Sequence, residues 1–227
     1  MRRWTLVACL LLACLAGGCA ERLGTPYRVT ITLEAEVLGE RRSVAQVFEF
    51  QHFQCRQSFC APNEVSGDAL GFDMGERGLL VAPIDGKLSW LLFMVLDARQ
   101  QNRRVPRDVH PSTAEDLRLL DTARGDYDFD PSFVFQEWLH FLDRLDPASG
   151  RHITLSDNNR EPMRGKIRLI SATIAKTRQA VTRGLAAKLP WLAARGDKLI
   201  EVKDAEGLLY GFGQAHFTAP QFVAHRD

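Results

Sequence analysis

Apolar and polar residues alternate with few exceptions along the stretch Tyr27-Arg-Val-Thr-Ile-Thr-Leu-Glu-Ala-Glu-Val37. Successive side chains of a β-strand point to opposite faces, so this alternation predicts a strand with one buried face. Gly39-Glu40 supplies a turn, and the segment Ser43 to Phe53 carries Val44, Phe48 and Phe50 on one face. We therefore expect an antiparallel pair of strands at the start of the domain.

Two short apolar stretches continue the first half of the chain, Ala69 to Met74 and Gly78 to Ile84. Asp85-Gly86 then precedes the apolar segment Lys87 to Leu96. An aspartate-glycine pair between apolar runs is a strong hairpin signal, so we predict a strand over Lys87 to Leu96. We therefore predict that the first half of the chain folds as an antiparallel meander.

The middle of the chain changes to a helical period. Ser112 and Glu115 form a capping box for a helix that continues to Ala123. Asp130 followed by Pro131 predicts a second helix, because aspartate caps helices and proline suits the first helical position. Its apolar stripe at helical spacing consists of Phe135, Trp138, Leu139, Phe141, Leu142 and Leu145.

The last third returns to strand patterns at His152 to Leu155, Lys166 to Lys176, Lys198 to Val202 and Leu208 to Phe217. Ala180 to Leu189 between them is predicted to be a helix that ends at Pro190. Because strands and helices are grouped and do not alternate, we expect an α+β fold, a mostly antiparallel sheet with two or three helices packed on one face. Residues 27–219 would form one such domain, and residues 220–227 a tail.

The beginning of the chain has the features of an export signal. Arg2 and Arg3 precede an apolar run from Trp4 to Ala16, which ends in Leu15-Ala16-Gly17-Gly18-Cys19. The run is shorter than the roughly 20 residues that a membrane-spanning helix needs. This leader resembles that of bacterial lipoproteins, which implies a signal peptide over residues 1–18 and a lipidated Cys19. Leu11-Leu12-Ala13-Cys14 also fits such a site, and we favour Cys19 because cleavage at Cys14 would leave a shorter apolar core.

The same resemblance implies a place in the cell. In lipoproteins of this kind an aspartate after the lipidated cysteine favours retention at the inner membrane, and here the residue is Ala20. We therefore expect the protein to be held at the outer membrane through its lipid anchor, facing the periplasm, with residues 19–26 as a tether.

Three of the five cysteines belong to the leader and the anchor, so the rest of the chain contains two cysteines, Cys55 and Cys60. An even remainder in an oxidising compartment favours a disulfide bond between them. Redox motifs usually place two residues between the cysteines, and here there are four. A metal site is the other alternative, and it would need His52 and one distant ligand.

Three further segments resemble landmarks of an uncharacterised family of proteobacterial envelope proteins. They are Tyr27 to Glu34, Gly67-Asp-Ala-Leu-Gly-Phe-Asp-Met-Gly75 and Thr182-Arg-Gly-Leu-Ala-Ala-Lys-Leu-Pro-Trp-Leu192. The resemblance implies a shared fold and supplies no catalytic residue.

The sharpest candidate for chemistry is Asp126-Tyr-Asp128-Phe-Asp130, with Glu137 at the twelfth position from Asp126. Calcium loops place oxygen ligands at these positions but need a glycine at the sixth. Pro131 stands there, and proline cannot adopt the positive φ that glycine supplies. We therefore interpret the acidic residues as a helix start and predict no metal site.

Other candidate groups are weaker. The six histidines form no zinc motif, and no nucleophile elbow or P-loop occurs in the chain, so we predict no catalytic residue and no cofactor. Trp90, Trp138 and Trp191 are expected in the core rather than in a ligand groove. A basic cluster, Arg99, Arg103, Arg104 and Arg107, suits either a solvated loop or contact with anionic lipid or polysaccharide.

Composition narrows the function. Apolar residues make up 45% and charged residues 25% of the chain, as in ordinary folded proteins, and the net charge of +1 argues against nucleic acid as a partner. We expect a non-enzymatic binding module for an envelope protein or glycan. The alternatives are an immunity or exclusion factor against a toxin or phage component, and an envelope hydrolase with a site assembled by the fold.

Overall fold

The computed structural model describes residues 21–54, 63–104, 107, 114–155, 167–195, 199–204, 207–212 and 216–219. Within these ranges the chain forms two six-stranded sheets and four α-helices. All paired strands are antiparallel except for one parallel pair. The predicted α+β class with mostly antiparallel strands is confirmed, although two sheets are present where the sequence indicated one.

Sheet one contains β1 (Glu21–Val37), β2 (Glu40–Gln54), β3 (Asn63–Asp68), β6 (Asp126–Phe129), β9 (Ile167–Thr177) and β12 (Thr218–Ala219), in the spatial order β12-β3-β2-β1-β9-β6. Sheet two contains β4 (Leu70–Asp73), β5 (Leu79–Ala82), β7 (Glu137–Phe141), β8 (Gly150–Thr154), β10 (Ile200–Lys203) and β11 (Leu209–Phe212), in the order β11-β10-β8-β7-β5-β4. The parallel pair is β8 with β10.

The predicted pairing of β1 with β2 is confirmed, with Tyr27 opposite Phe50 and Val37 opposite Glu40. Leu38 and Gly39 form the two-residue turn, and both have positive φ, 54° and 81°. Positive φ at both central residues is the geometry that matches the twist of a hairpin. The inward face of β1 is fully buried at Val29, Ile31, Leu33, Ala35 and Val37.

Strand β1 begins earlier than the sequence indicated. It starts at Glu21, Leu23 is buried, and the ladder to β2 shifts between Leu23 and Tyr27. Residues 21–26, which were expected to belong to a tether, are therefore part of sheet one. In the sequence, the first residue of β1 follows Cys19 by two positions.

The helices are α1 (Leu91–Gln100), α2 (Ala114–Asp121), α3 (Leu185–Lys188) and α4 (Trp191–Arg195). Helix α2 confirms a helix in the segment that was predicted to continue to Ala123, although it ends at Asp121. The predicted cap Ser112 lies outside the described residues. The strand predicted over Lys87 to Leu96 is wrong, because this segment forms a 3-10 turn followed by α1. Asp85 Oδ1 accepts the backbone N–H groups of Lys87 and Leu88, at 2.7 and 3.1 Å, and so starts a helix where a hairpin turn was expected.

The helix predicted after Asp130 is also wrong. Asp130 does cap a turn, accepting from the Ser132 N–H at 2.9 Å, but the turn is one of 3-10 helix. The chain then extends into β7, which pairs with β5 and β8 in the interior of sheet two. A strand that is buried on both faces has a continuous apolar run, which a helical stripe resembles in sequence.

The helix predicted over Ala180 to Leu189 is shorter than expected. The Thr182 N–H donates to the Val47 carbonyl oxygen at 3.1 Å, and the Val47 N–H donates to the Thr182 hydroxyl oxygen at 2.9 Å. Helix α3 therefore begins only at Leu185. Pro190 separates α3 from α4, as the sequence indicated.

Helix α1 lies across sheet one. The Trp90 ring, just before the helix, stacks on His52 of β2 at 4.5 Å, and Arg99 near its end lies over the Tyr127 ring of β6. The helix is buried on nearly all sides, from Leu91 to Leu96 and at Ala98. One hydrophobic core joins α1 to side chains of both sheets.

Candidate functional site

A cavity of about 630 Å³ opens between the second half of α1 and strand β6, and we call it the α1–β6 cavity. Its volume is within the range of roughly 300 to 1,000 Å³ that small-molecule sites occupy. Its lining combines an apolar wall with charges of both signs, from Val95, Ala98, Arg99, Asn102, Arg103, Arg104, Tyr127, Asp128, Phe129 and Asp130.

Arg99 is held in place by an aromatic ring. Its guanidinium carbon lies 5.1 Å from the centroid of Tyr127, a cation–π contact. The Tyr127 ring is buried, and its hydroxyl accepts the Arg124 backbone N–H at 2.8 Å. Within the described ranges, no carboxylate pairs with Arg99. Its donors are therefore oriented by the ring and remain available to an anionic ligand.

Arg103 stands beside Arg99 with one side of its guanidinium occupied. Its Nη2 donates to Asp97 Oδ2 at 2.7 Å, whereas its buried Nε atom has no hydrogen-bond partner in the part of the chain that the structure describes. Asp130 is occupied as the cap of the following turn through Ser132, and Asp128 is exposed. The cavity therefore presents cationic donors on its helical side and carboxylate acceptors on its strand side.

A second cavity, of about 590 Å³, lies between the start of β1 and helix α2, and we call it the β1–α2 cavity. Its wall includes Leu23 to Arg28, and the buried Leu117 and Leu120 of α2 supply apolar surface. Its charged side chains are Arg28, Glu49, Arg118, Asp121, Lys176 and Arg178.

The buried His52 and the half-buried Tyr27 form a pair at this second cavity. The Tyr27 hydroxyl lies 2.9 Å from His52 Nε2 and 3.4 Å from the Ser89 carbonyl oxygen. His52 is only 2% exposed, and its Nδ1 atom has no hydrogen-bond partner among the described residues. Burial lowers the pKa of His52 to about 4 and raises the pKa of the Tyr27 hydroxyl. Both side chains are therefore neutral near pH 7.

The acidic motif does not form a metal site. Asp126 and Asp128 are exposed on strand β6, Asp130 caps a turn, and Glu137 belongs to the other sheet. In the described part of the chain, no group of three or more His, Cys, Asp or Glu side chains is placed to hold a metal ion. The predicted lipid site Cys19 and the predicted pair Cys55 and Cys60 lie outside the described residues.

The fold does assemble part of the basic cluster. Arg99, Arg103 and Arg104 line the α1–β6 cavity, whereas Arg107 is exposed and is not among its lining residues. Trp90, Trp138 and Trp191 are buried, which confirms the predicted core positions. The pairing of His52 with Tyr27 was not predicted. The available signal was period two, since His52 continues the buried face of Phe48 and Phe50.

The second and third landmarks of the family resemblance meet at Asp68. This buried carboxylate accepts the backbone N–H groups of Gly184 and Leu185 at 2.6 and 2.8 Å, so it caps α3. Arg183 Nη2 donates to Ser66 Oγ at 2.8 Å beside it. These residues join β3 to the segment that leads into α3, and we assign them a structural role.

Comparison of the chain with protein-family models, with curated proteins and with solved structures gives no match. Among the described residues, no helix is long and apolar enough to cross a membrane.

Proposed function

We propose that this protein is a lipid-anchored envelope lipoprotein whose domain binds an acidic envelope glycan or protein in the α1–β6 cavity. The observation that carries the proposal is Arg99, which the Tyr127 ring holds in a cavity of suitable size without a carboxylate partner among the described residues. A fixed guanidinium loses little conformational entropy when it binds a carboxylate.

The cavity contains both cationic and anionic side chains, which favours a ligand that carries both anionic groups and hydrogen-bond donors. Arg99 and Arg104 suit a carboxylate or another anionic group, because a guanidinium can donate two parallel hydrogen bonds. Asp128 suits a hydroxyl or ammonium donor on the same ligand. Acidic polysaccharides and acidic peptide segments both carry such groups. A protein that only binds such a ligand needs no catalytic residue in the cavity.

The leader supports the cellular context. We propose cleavage before Cys19, lipidation of that residue, and retention at the outer membrane with the domain facing the periplasm. The grounds are the segment Leu15 to Cys19 at the end of the leader, and Ala20. An anchor concentrates the cavity at a membrane surface where envelope polymers are abundant.

The anchor is tested with Cys19→Ser. We expect the variant to leave the membrane fraction or to accumulate as unprocessed precursor. Cys14→Ser is the matched control and should behave like the wild type. The assignment is wrong if Cys19→Ser is processed and fractionates normally while Cys14→Ser does not.

The binding site is tested by crosslinking in intact envelopes, affinity purification and mass spectrometry of the captured material. We expect one stoichiometric partner, with capture reduced at least tenfold by Arg99→Gln. Arg107→Gln is the matched control, because it removes the same charge from the same basic cluster outside the cavity. Equal loss in both variants would show a general charge effect and would contradict the cavity as the site.

A further inference from the structure

The β1–α2 cavity differs from the proposed ligand site in position and chemistry. Its wall is the first segment of β1, and Leu23 follows Cys19 by four residues. An extended chain spans at most about 3.5 Å per residue, so Leu23 lies no more than about 14 Å from Cys19. Lipidation of Cys19, on which this inference rests, would therefore hold the cavity at the headgroup layer of the membrane.

The charged rim of this cavity is predominantly cationic. Arg118 and Arg178 are exposed, and neither has an ion-pair partner among the described residues. Lys176 is half-buried, and its Nζ donates to the Leu120 carbonyl oxygen at 3.0 Å. Arg28 is already paired with Glu49 at 2.7 Å, which leaves Asp121 as the opposing carboxylate. The uncompensated charges favour an anion.

The interior of the cavity is amphipathic. Leu23, Leu117 and Leu120 are buried apolar side chains, whereas the neutral His52 ring adds a polar side chain to the lining. A ligand with an anionic head, hydroxyl groups and an adjoining apolar part matches this combination.

We propose that the β1–α2 cavity binds the phosphate headgroup of an anionic phospholipid in the membrane that holds Cys19. The basic rim contacts the phosphate, and the leucines contact the glycerol and the first acyl carbons. Basic clusters at membrane surfaces are attracted to anionic lipids, and this attraction acts over about a Debye length. Headgroup binding would give the anchored domain a defined orientation, with β1 and α2 toward the bilayer.

The test uses the full lipidated protein in nanodiscs made of phosphatidylcholine alone or with phosphatidylglycerol, with the thermal unfolding midpoint as the readout. A ligand that binds only the folded state raises this midpoint. We expect phosphatidylglycerol to raise it by about 3 °C. The double variant Arg118→Gln with Arg178→Gln should lose most of this shift.

The matched control is Arg41→Gln with Arg168→Gln. It removes two exposed arginines at the far end of the β1 hairpin, where they pair with Glu34 and Glu36. The control should keep the phosphatidylglycerol shift, and loss of the shift in the control would overturn the proposal in favour of net charge. If inorganic phosphate raised the unfolding midpoint equally in phosphatidylcholine discs, the proposal that the bound phosphate belongs to a lipid would be overturned. The intact mass of the protein separates failure of this proposal from failure of the lipoprotein assignment, because a chain without acyl groups contradicts that assignment.

Discussion

At the scale of single residues, His52 shows how burial determines protonation. Its ring is stacked on Trp90 and its Nε2 atom faces the Tyr27 hydroxyl, so little water reaches it. A charged imidazolium would lose hydration without gaining a carboxylate in return. The folded state therefore favours the neutral form.

This preference predicts a pH dependence of stability. His52 has a pKa of about 4 in the folded state, whereas an unfolded histidine titrates near 6.5. Between these values the unfolded state binds more protons, so the free energy of unfolding falls as the pH drops from about 6.5 toward 4, by on the order of 3 kcal/mol in total. Above about pH 6.5 this contribution is fully present.

Urea unfolding at several pH values between about 5 and 7.5 measures this contribution. His52→Gln, which cannot titrate, should have a smaller slope of stability against pH than the wild type. Buried His152 also has a lowered pKa, because of desolvation, so part of the slope should remain. Identical slopes in the variant and the wild type would contradict the prediction.

Two glycines allow backbone strain to be separated from steric contact. Both Gly39 and Gly78 have positive φ, but a methyl group at Gly39 would meet open space, whereas one at Gly78 would lie 2.0 Å from the Phe141 carbonyl oxygen. We expect Gly39→Ala to cost about 1 kcal/mol of unfolding free energy and Gly78→Ala on the order of 3 kcal/mol or more. Urea unfolding measures both, and equal costs would show that the close approach is relieved elsewhere.

At the scale of elements, two segments have the structure opposite to the predicted one. Lys87 to Leu96 was predicted to be a strand and forms a 3-10 turn and the start of α1, whereas Glu137 to Phe141 was predicted to be helical and forms β7. Each is apolar on nearly all sides, so neither shows the one-sided period that separates a helix from a strand. Asp85 provides a helix start for the first segment, and two flanking strands provide partners for the second. A local cap therefore accounts for the first outcome, whereas strand partners that are distant in sequence account for the second.

The junction at Asp68 predicts a strong local effect. Asp68→Ala removes the buried acceptor of the Gly184 and Leu185 N–H groups and one charged contact of Arg183, so we expect a loss of about 3 kcal/mol. Ser66→Ala is the control, because it removes one hydrogen bond to the exposed Arg183 and should cost about 1 kcal/mol. Hydrogen exchange at Gly184 and Leu185 should accelerate only in Asp68→Ala; unchanged exchange there would contradict the cap.

The pair Cys55 and Cys60 lies in the connection between β2 and β3, and its disulfide remains a prediction. Closing so short a loop stabilises the folded state by about 2 kcal/mol in the loop-entropy view. Replacement of both cysteines by serine should therefore lower stability modestly without loss of the fold. Non-reducing peptide mapping of exported protein decides the linkage: two free thiols would refute it and return attention to His52 as a metal ligand.

At the scale of the whole molecule, one hydrophobic core joins the two sheets. Ile31 of β1 and Trp138 of β7 are both fully buried in it, with helix α1 as a further component. Among the described residues, neither sheet has a separate core, so removal of one sheet exposes the apolar face of the other.

This shared core predicts cooperative unfolding. We expect tryptophan fluorescence and far-ultraviolet circular dichroism to give one coincident urea transition. Trp90 lies beside sheet one, and Trp138 lies in sheet two, so the fluorescence signal reports on both. Two separated transitions would show that the sheets unfold independently.

The sequence by itself determined the β1 hairpin, the α+β class and the core positions of the tryptophans. Alternation over eleven residues of β1 specifies which face is buried, and turn residues limit the pairing, so local information suffices. It also indicated the basic cluster, although not that Arg99 would be oriented by Tyr127.

Only the tertiary structure decided the remaining features. It divided the strands between two sheets, assigned helix to Leu91–Gln100 and strand to Glu137–Phe141, and brought His52 to Tyr27 and Asp68 to Gly184. The physical reason is the same in each case. A largely apolar segment or a single polar side chain is compatible with several local structures, and the outcome depends on packing and hydrogen-bond partners that only the folded chain brings together.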